Sequence, residues 1–172
     1  CTELKGKELG PEPGVHWWKH RYDFYFPPHS LMLPEMFGTV ETTSTYDKIY
    51  NIFKAKQRVI TEEFKEWGTD YMAHFSHWFP WGVMVYDRFL IAKPPQDPQE
   101  ALQLHTQIWG KAARASLEHG GVLNDHHGIG FKLGWLMEEQ YGAAWPTMQG
   151  IKDALDPAGI MNPGKLGFIR RK

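Results

Sequence analysis

Hydrophobic and polar positions change their spacing several times along the chain, and each change marks an element. Between Ser44 and Gly68, the residues Ile49, Ile52, Phe53, Ile60, Phe64 and Trp67 recur mostly at three-to-four intervals. That period predicts a long amphipathic helix with one buried stripe. Ser44, with Asp47 three residues on, offers a capping-box-like start, and Gly68 can take the left-handed turn that ends the helix. A second helix begins at Asp97 as cap, with Pro98 at its first position and Glu100 at its third. Ala101, Leu104, Ile108, Ala112 and Ala115 form its buried stripe, and Gly120-Gly121 closes it.

Elsewhere the period falls to two. Residues 35–42 and 70–79 read as strands, and Pro80-Trp81-Gly82 as a turn. Residues 83–91 form a strongly apolar strand. One of its faces carries Met84, Tyr86, Arg88 and Leu90; the other carries Val83, Val85, Asp87, Phe89 and Ile91. Val122-Leu123 begins a last short strand. From residue 35 the order is strand, helix, strand, strand, helix, strand. It predicts an α+β, ferredoxin-like fold: an antiparallel sheet with helices on one face. In residues 15–26, Tyr22, Phe24 and Phe26 alternate with Arg21, Asp23 and Tyr25, which predicts a further edge strand ended by Pro27-Pro28. Residues 1–14 read as a linker or tail. Two helices, 131–139 and 145–155, and an extended stretch over 161–168 form a short C-terminal extension.

Composition narrows the function classes. The 172 residues are 42% hydrophobic, enough for one domain with a real core. A net charge of -1 gives no electrostatic case for nucleic acid. No apolar run reaches the roughly 18 residues of a membrane helix. Cys1 is the sole cysteine, so no disulfide forms within the chain, which fits a reducing, cytoplasmic setting. The missing initial Met and the linker-like start suggest a piece of something longer. Eight tryptophans and seven methionines suit a packed core with a flat contact surface, or the wall of a pocket for a planar ligand.

The stretch richest in chemistry is Asp125-His126-His127-Gly128-Ile129-Gly130. It leaves an apolar strand, where an imidazole can be held rigidly and still reach a cleft. A neighbouring carboxylate can orient a histidine that accepts a proton near neutral pH. The same residues would also serve as a polar turn capping a helix. Tyr86 and Arg88 share a strand face and could bind an anionic substrate or form a structural hydrogen bond. His74 and His77, three apart on a strand, should face opposite sides, which speaks against a metal pair. His105 and His119 fall on a helix and are expected to be solvated. The glycine-rich phosphate loops and the serine-nucleophile motif are absent.

His126-His127-Gly128-Ile129-Gly130 together with Asp156-Pro157-Ala158-Gly159-Ile160-Met161-Asn162-Pro163-Gly164-Lys165 resembles the C-terminal half of the FAD-linked oxidases of the vanillyl-alcohol oxidase type. Within that superfamily it is most similar to the alkyldihydroxyacetonephosphate synthases and their bacterial oxidase relatives. Residues 40–49, beginning Val40-Glu41-Thr42, resemble the family segment that leads into the first helix of the cap domain. The resemblance implies that residues 15–130 are the substrate (cap) domain and that 131–172 return to an FAD-binding domain lying outside this chain. That domain would hold the FAD, and it would be the partner, on the same longer chain or on another subunit. A small-molecule substrate and a homodimer complete the implied partners. The implied reaction oxidises a small alcohol, hydroxy acid or phenol by hydride transfer to flavin. His127 or His126 would be the base and Tyr86 its assistant. Arg88 and Asp125 would contact substrate, and Asn162 and Lys165 would sit where the chain meets the flavin. Departures from the family pattern exist: Asp125 replaces the first of three histidines, residues 27–32 carry no arginine, and a histidine–glutamate metal set is not reproduced, so no metal is expected. The rival readings are the synthase-like exchange of an acyl for an alkyl group, a ferredoxin-like binding module without chemistry, and a metalloenzyme built on His74, His77 and His126.

Overall fold

The computed structural model describes residues 2–23 and 36–169, in two compact units, Cys1–Pro34 and Glu35–Lys172. In the first unit the described residues form a 3-10 turn (Thr2–Leu4) and an α-helix, α1 (Glu12–His20). The expected strand is therefore corrected over residues 15–20. Pro13 within the first turn, Glu12 at its start and Lys19 and His20 at its end suit a helix and its dipole. Tyr22 lies in the turn that follows, and Phe24 and Phe26 fall outside the described residues.

In the second unit β1 (Met36–Thr45), α2 (Tyr46–Glu63), β2 (Thr69–Phe79), β3 (Gly82–Ile91), α3 (Pro98–Glu118) and β4 (Val122–Leu123) follow the expected order. The sheet order is β2-β3-β1-β4, with every pairing antiparallel. This is the ferredoxin-like arrangement. Both long helices cover one face. Ile52, Ile60, Val85, Phe89, Ile108 and Ala112 are fully buried between helices and sheet. Each large aliphatic side chain so buried stabilises the fold by about 1.5–3 kcal/mol before the entropy of ordering is subtracted. Asp97 caps α3 as expected, its Oδ1 accepting the backbone N–H groups of Gln99 and Glu100. Gly68 ends the turn after α2 at φ 63°.

Four local expectations change. Thr45, not Ser44, occupies the N-cap position of α2, without a side-chain capping bond, and the Ser44 hydroxyl instead donates to the Gly120 carbonyl. The 131–139 helix is reduced to a 3-10 turn (Gly134–Leu136) and α4 (Met137–Tyr141), while α5 (Trp145–Leu155) stands as expected. The extended 161–168 stretch is a series of turns ending in a 3-10 turn (Lys165–Gly167). His105 is half-buried rather than solvated: its Nε2 lies 3.1 Å from the Phe37 carbonyl, and burial depresses its pKa, with Lys132 adding to the effect.

Candidate functional site

The uncovered face of the sheet holds the site. Register places Glu41 of β1 and His74 of β2 directly opposite Tyr86 of β3, and Thr39 and Met72 opposite Arg88. With side chains alternating along each strand, these residues all point away from α2 and α3. Phe37, Thr39, Met72, His74, Tyr86 and Arg88 line an open basin of about 550 Å³. The Arg88 guanidinium lies 5.2 Å from the centre of the Phe37 ring, and among the described residues it has no carboxylate partner.

Glu41 fastens the histidine loop over this face. Its backbone carbonyl accepts the Asn124 N–H at 2.9 Å, and Asn124 turns left-handed at φ 70°. Its Oε1 then accepts the backbone N–H groups of both His126 (3.1 Å) and His127 (3.0 Å). The same carboxylate faces both rings, with His127 Nδ1 3.1 Å from Oε1 and His126 Nδ1 2.9 Å from Oε2. Neither ring contact has hydrogen-bond alignment, so the carboxylate's directed donors are the two backbone N–H groups on Oε1, and Oε2 is a buried acceptor without one. Glu41 is 4% exposed, and burying an ionised carboxylate demands such partners. The ring centres of His126 and His127 are 4.1 Å apart, and Tyr86 lies 6.0 Å from the first and 5.6 Å from the second.

Asp125 turns the other way. Its Oδ2 lies 2.5 Å from His77 Nδ1 and 3.3 Å from His126 Nδ1. Those two contacts outweigh burial and hold its carboxyl below the ordinary range. His77 reaches Asp125 because β2 carries a β-bulge between Ser76 and Trp78, with His77 at φ 49°. The extra residue shifts the alternation, and the expectation that His74 and His77 face opposite sides is corrected: both join one ring cluster. His74 stacks on Tyr86 at 5.1 Å, and His77 meets His126 edge-on at 5.3 Å.

Beyond His127 a smaller cavity of about 220 Å³ is lined by Thr39, Glu41, Trp109, Asn124 and Lys132 among others. The Lys132 amine sits 4.2 Å from the Trp109 ring centre, and burial lowers its pKa. The C-terminal motif is tied to the same loop. Leu166 N–H donates to the Gly130 carbonyl at 2.9 Å, and Lys165 Nζ lies 5.0 Å from the Phe131 ring. Gly134 makes that approach possible, because a Cβ there would stand 2.5 Å from the Gly167 nitrogen. Asp156 shapes the motif by accepting the Ile160 and Met161 N–H groups and the Lys152 ammonium.

The geometry thus gathers His126, His127, Tyr86 and Asp125, with Arg88 two residues from Tyr86 on the same face. Lys165 sits at Phe131, and Asn162 lies in the same turn, its carbonyl accepting the Lys165 N–H; neither is at the imidazoles. Sequence reasoning quoted Glu41 without giving it a role; an acid in mid-strand is the signal that could have marked it. The roles of His77 and Lys132 left no such signal, since a bulge and a cross-element ring contact are tertiary events. Donor atoms of Glu41, His126 and His127, and of His77, Asp125 and His126, each lie within 4.8 Å of one another, close enough to hold a divalent ion. The Nδ1 atoms already face carboxylates, so the set is equally arranged for handling protons.

Comparison with known proteins agrees with this architecture. The family model for FAD linked oxidases, C-terminal domain, matches residues 17–166. An alkyldihydroxyacetonephosphate synthase of Dictyostelium discoideum is 30% identical over 168 residues, 92% of this chain and 26% of that protein. The protein of that name from Trypanosoma brucei brucei is 28% identical over 162 residues, again 92% and 26%. An uncharacterized FAD-linked oxidoreductase of Escherichia coli K12 is 29% identical over 139 residues, 77% and 28%. A solved alkyldihydroxyacetonephosphate synthase structure shares the fold, with a TM-score of 0.57 at 22% identity over 92% of this chain and 25% of that one. The chain spans about a quarter of the length of these relatives. Among the described residues no helix is long and apolar enough to cross a membrane. On the matched residues and the shared fold, the chain belongs to the FAD-linked oxidases and is their C-terminal domain.

Proposed function

We propose that this chain is the substrate-binding wall of an FAD-dependent oxidoreductase acting on a small hydroxy compound, with an anionic 2-hydroxy acid as the favoured class. The observation that carries this is the Glu41-held His126–His127 pair facing Tyr86 across a basin whose cation, Arg88, has no acid partner among the described residues. The wall belongs to the substrate domain assigned to residues 15–130, all of its lining residues lying in the second unit, and 131–172 lead back to the domain that bears the flavin. The residues on the open face fit the working edge of a flavin and its substrate. They do not fit the dinucleotide tail, for which a basin of about 550 Å³ without a glycine-rich phosphate loop has no place.

When bound, the flavin supplies a hydride acceptor. His127 takes the hydroxyl proton at Nε2, because its Nδ1 is held toward Glu41. Tyr86 hydrogen-bonds the reacting oxygen and keeps it against the imidazole. Arg88 pairs with the anionic end and sets the substrate's direction in the basin. Asn162 and Lys165 meet the flavin-bearing domain, a role supported by the Leu166–Gly130 hydrogen bond that draws their turn to the site loop.

The test is anaerobic addition of 2-hydroxy acids and neutral alcohols to the complete flavoprotein that contains this chain. Bleaching of the flavin by hydroxy acids, and its loss with FAD retained in His127→Ala, supports the reading. Bleaching that is unchanged in His127→Ala removes the base assignment. A second reading, flavin-dependent exchange of an acyl for an alkyl group, is favoured by the two synthases that match 92% of the chain. It predicts no bleaching by any hydroxy acid and turnover of an acylated glycerone phosphate with a fatty alcohol.

A further inference from the structure

The two sides of the sheet are finished differently. Beyond the two residues that pair with β4, the outer side of β1 is covered. The Phe37 carbonyl lies 3.1 Å from His105 Nε2, the Thr39 carbonyl accepts the Trp109 Nε1–H at 2.9 Å, and the Glu41 carbonyl accepts the Asn124 N–H at 2.9 Å. These carbonyls turn away from β3, so Gly38, Val40 and Thr42 carry the β1–β3 ladder. Alternation across β3 then bonds Asp70, Met72, His74 and Ser76 to it and turns the backbone groups of Tyr71, Ala73 and Phe75 outward. The Tyr71 N–H is met there by Asp70 Oδ1 at 2.8 Å; among the described residues the Tyr71 carbonyl and both backbone groups of Ala73 and Phe75 have no outward partner. Edge strands are ordinarily blunted by proline, lysine, a bulge or shortness. β2 runs for 11 residues, about twice the usual strand, holds no proline or lysine, and keeps its bulge near the far end, at His77. Its flanks are apolar on both faces. Met72, 46% exposed, lies on the basin side; Phe75 meets Phe53 on the helix side, and Phe53 meets Tyr50, which is 60% exposed.

We infer that β2 is not the last strand of the sheet in the complete protein: an extended segment from the part outside this chain pairs with residues 71–75 and walls the basin on that side. The pairing rests on the family assignment, since this chain spans about a quarter of its relatives and leaves ample length to supply a strand. The place of that strand in the basin rests on the oxidoreductase reading. The segment that fits has about five residues, so that its backbone reaches the outward groups of Tyr71, Ala73 and Phe75 from about 4.8 Å away. Its side chains alternate. Apolar ones pack beside Phe75 and Phe53, and those on the other face stand next to Met72 and His74. Met72 and His74 already line the basin of about 550 Å³, whose β2 side lies open. With the strand added, Tyr86 and Arg88 lie in the middle of the sheet, and part of the substrate selection comes from residues outside this chain. The rival occupant is β2 of a second copy, paired about a two-fold axis at Ala73.

Amide exchange resolved to single residues tests the pairing without turnover. The Ala73 and Phe75 N–H groups should exchange fast in the 172-residue chain and about a hundredfold more slowly in the complete flavoprotein. Fast exchange in the complete protein, or slow exchange in the chain by itself, overturns the inference. Ala73→Pro is the sharpest variant. Proline deletes an N–H that β3 does not use, so the β2–β3 ladder is kept while the free edge is blocked. In the complete protein carrying it, Phe75 should return to fast exchange, with Met72 and His74 still protected as proof that β2 holds. Phe75 remaining slow there also overturns the inference. So does a dimer that sedimentation shows Ala73→Pro to split into monomers, because the occupant is then a second copy. In the same variant the hydroxy acid needed for half-maximal flavin bleaching should rise about tenfold. An unchanged value removes the strand from the basin wall. If no hydroxy acid bleaches the unaltered flavoprotein, the oxidoreductase reading falls, and exchange still decides the pairing.

Discussion

The two faces of one strand illustrate how this domain divides its labour. On β3, Asp87 points into the helix-covered face and Arg88 into the open basin, one residue apart. Asp87 is 1% exposed and ion-paired to Lys56, which is itself fully buried; Tyr71 donates its hydroxyl to the other carboxylate oxygen. Lys56 also donates to Thr42 Oγ1 at 3.1 Å, and Thr42 to Ser116, so the charges are spread into hydrogen bonds. Burial pushes Asp87 up and Lys56 down, while each partner pulls the other back toward its charged form. Arg88 has an aromatic neighbour and open space instead. A polar group satisfied on every side fixes structure; one left unsatisfied is available to a ligand. The difference predicts that substitutions on the covered face act on stability and those on the open face act on chemistry.

Removing Lys56 should have the largest effect. Lys56→Met strands Asp87 in an apolar core and should cost about 3–5 kcal/mol of stability in urea unfolding. Adding Asp87→Leu should recover most of it, because replacing both partners by apolar groups is often neutral. Failure of the double variant to recover would mean that the network does more than satisfy its own charges. Next comes His127→Ala, which should slow flavin reduction by about 10²–10⁴-fold in stopped-flow measurements on the complete protein, with melting temperature nearly unchanged. A large fall in melting temperature would blur the distinction between the faces. Gly134→Ala tests the tie between the two motifs: overpacking against Gly167 should cost about 1–3 kcal/mol and free the Leu166–Gly130 contact, visible as faster amide exchange at Leu166.

Arg88→Ala should raise the KM for hydroxy acids about 10–100-fold, the worth of a charge-assisted hydrogen bond, and leave neutral alcohols unaffected. Equal loss for both would move Arg88 from recognition to structure. The smallest effect is expected from pH. Asp156 is held below its ordinary value of 3.8, first by the Lys152 hydrogen bond. A carboxyl depressed in the fold contributes stability that is complete above about pH 4 and fades as the pH falls through its folded pKa. Unaltered chain and Asp156→Asn should therefore differ in stability above pH 4 and converge below it. Curves that stay parallel to pH 2 would remove the carboxylate's role.

Much of this was readable in the chain before folding. Asp97-Pro98 carries its own cap and start, so α3 begins where the residues say. The alternation over residues 83–91 assigned Tyr86 and Arg88 to one face and Asp87 to the other, as the register confirms. The stretch 15–20 misled because its aromatic alternation suits a strand, whereas its terminal charges and early proline suit a helix. The helix-favouring terminal residues prevailed there. The closing motif was legible as a motif but not as a shape, because its turns depend on Asp156 accepting three donors and on Gly134 lying beneath Gly167.

By itself, then, the chain's periodicity determined the element order, the ferredoxin-like class and the two faces of β3, because side-chain direction in helices and strands follows from backbone geometry alone. The two glycine-bearing motifs likewise pointed to the FAD-linked oxidases. Only the tertiary structure decided that Glu41 holds both histidines, that the two motifs touch through Leu166 and Gly130, and that His77 joins Asp125. Those contacts join residues 36 to 86 positions apart. They depend on sheet register and on one inserted residue in β2, which turns a side chain to the other face and which no local pattern encodes.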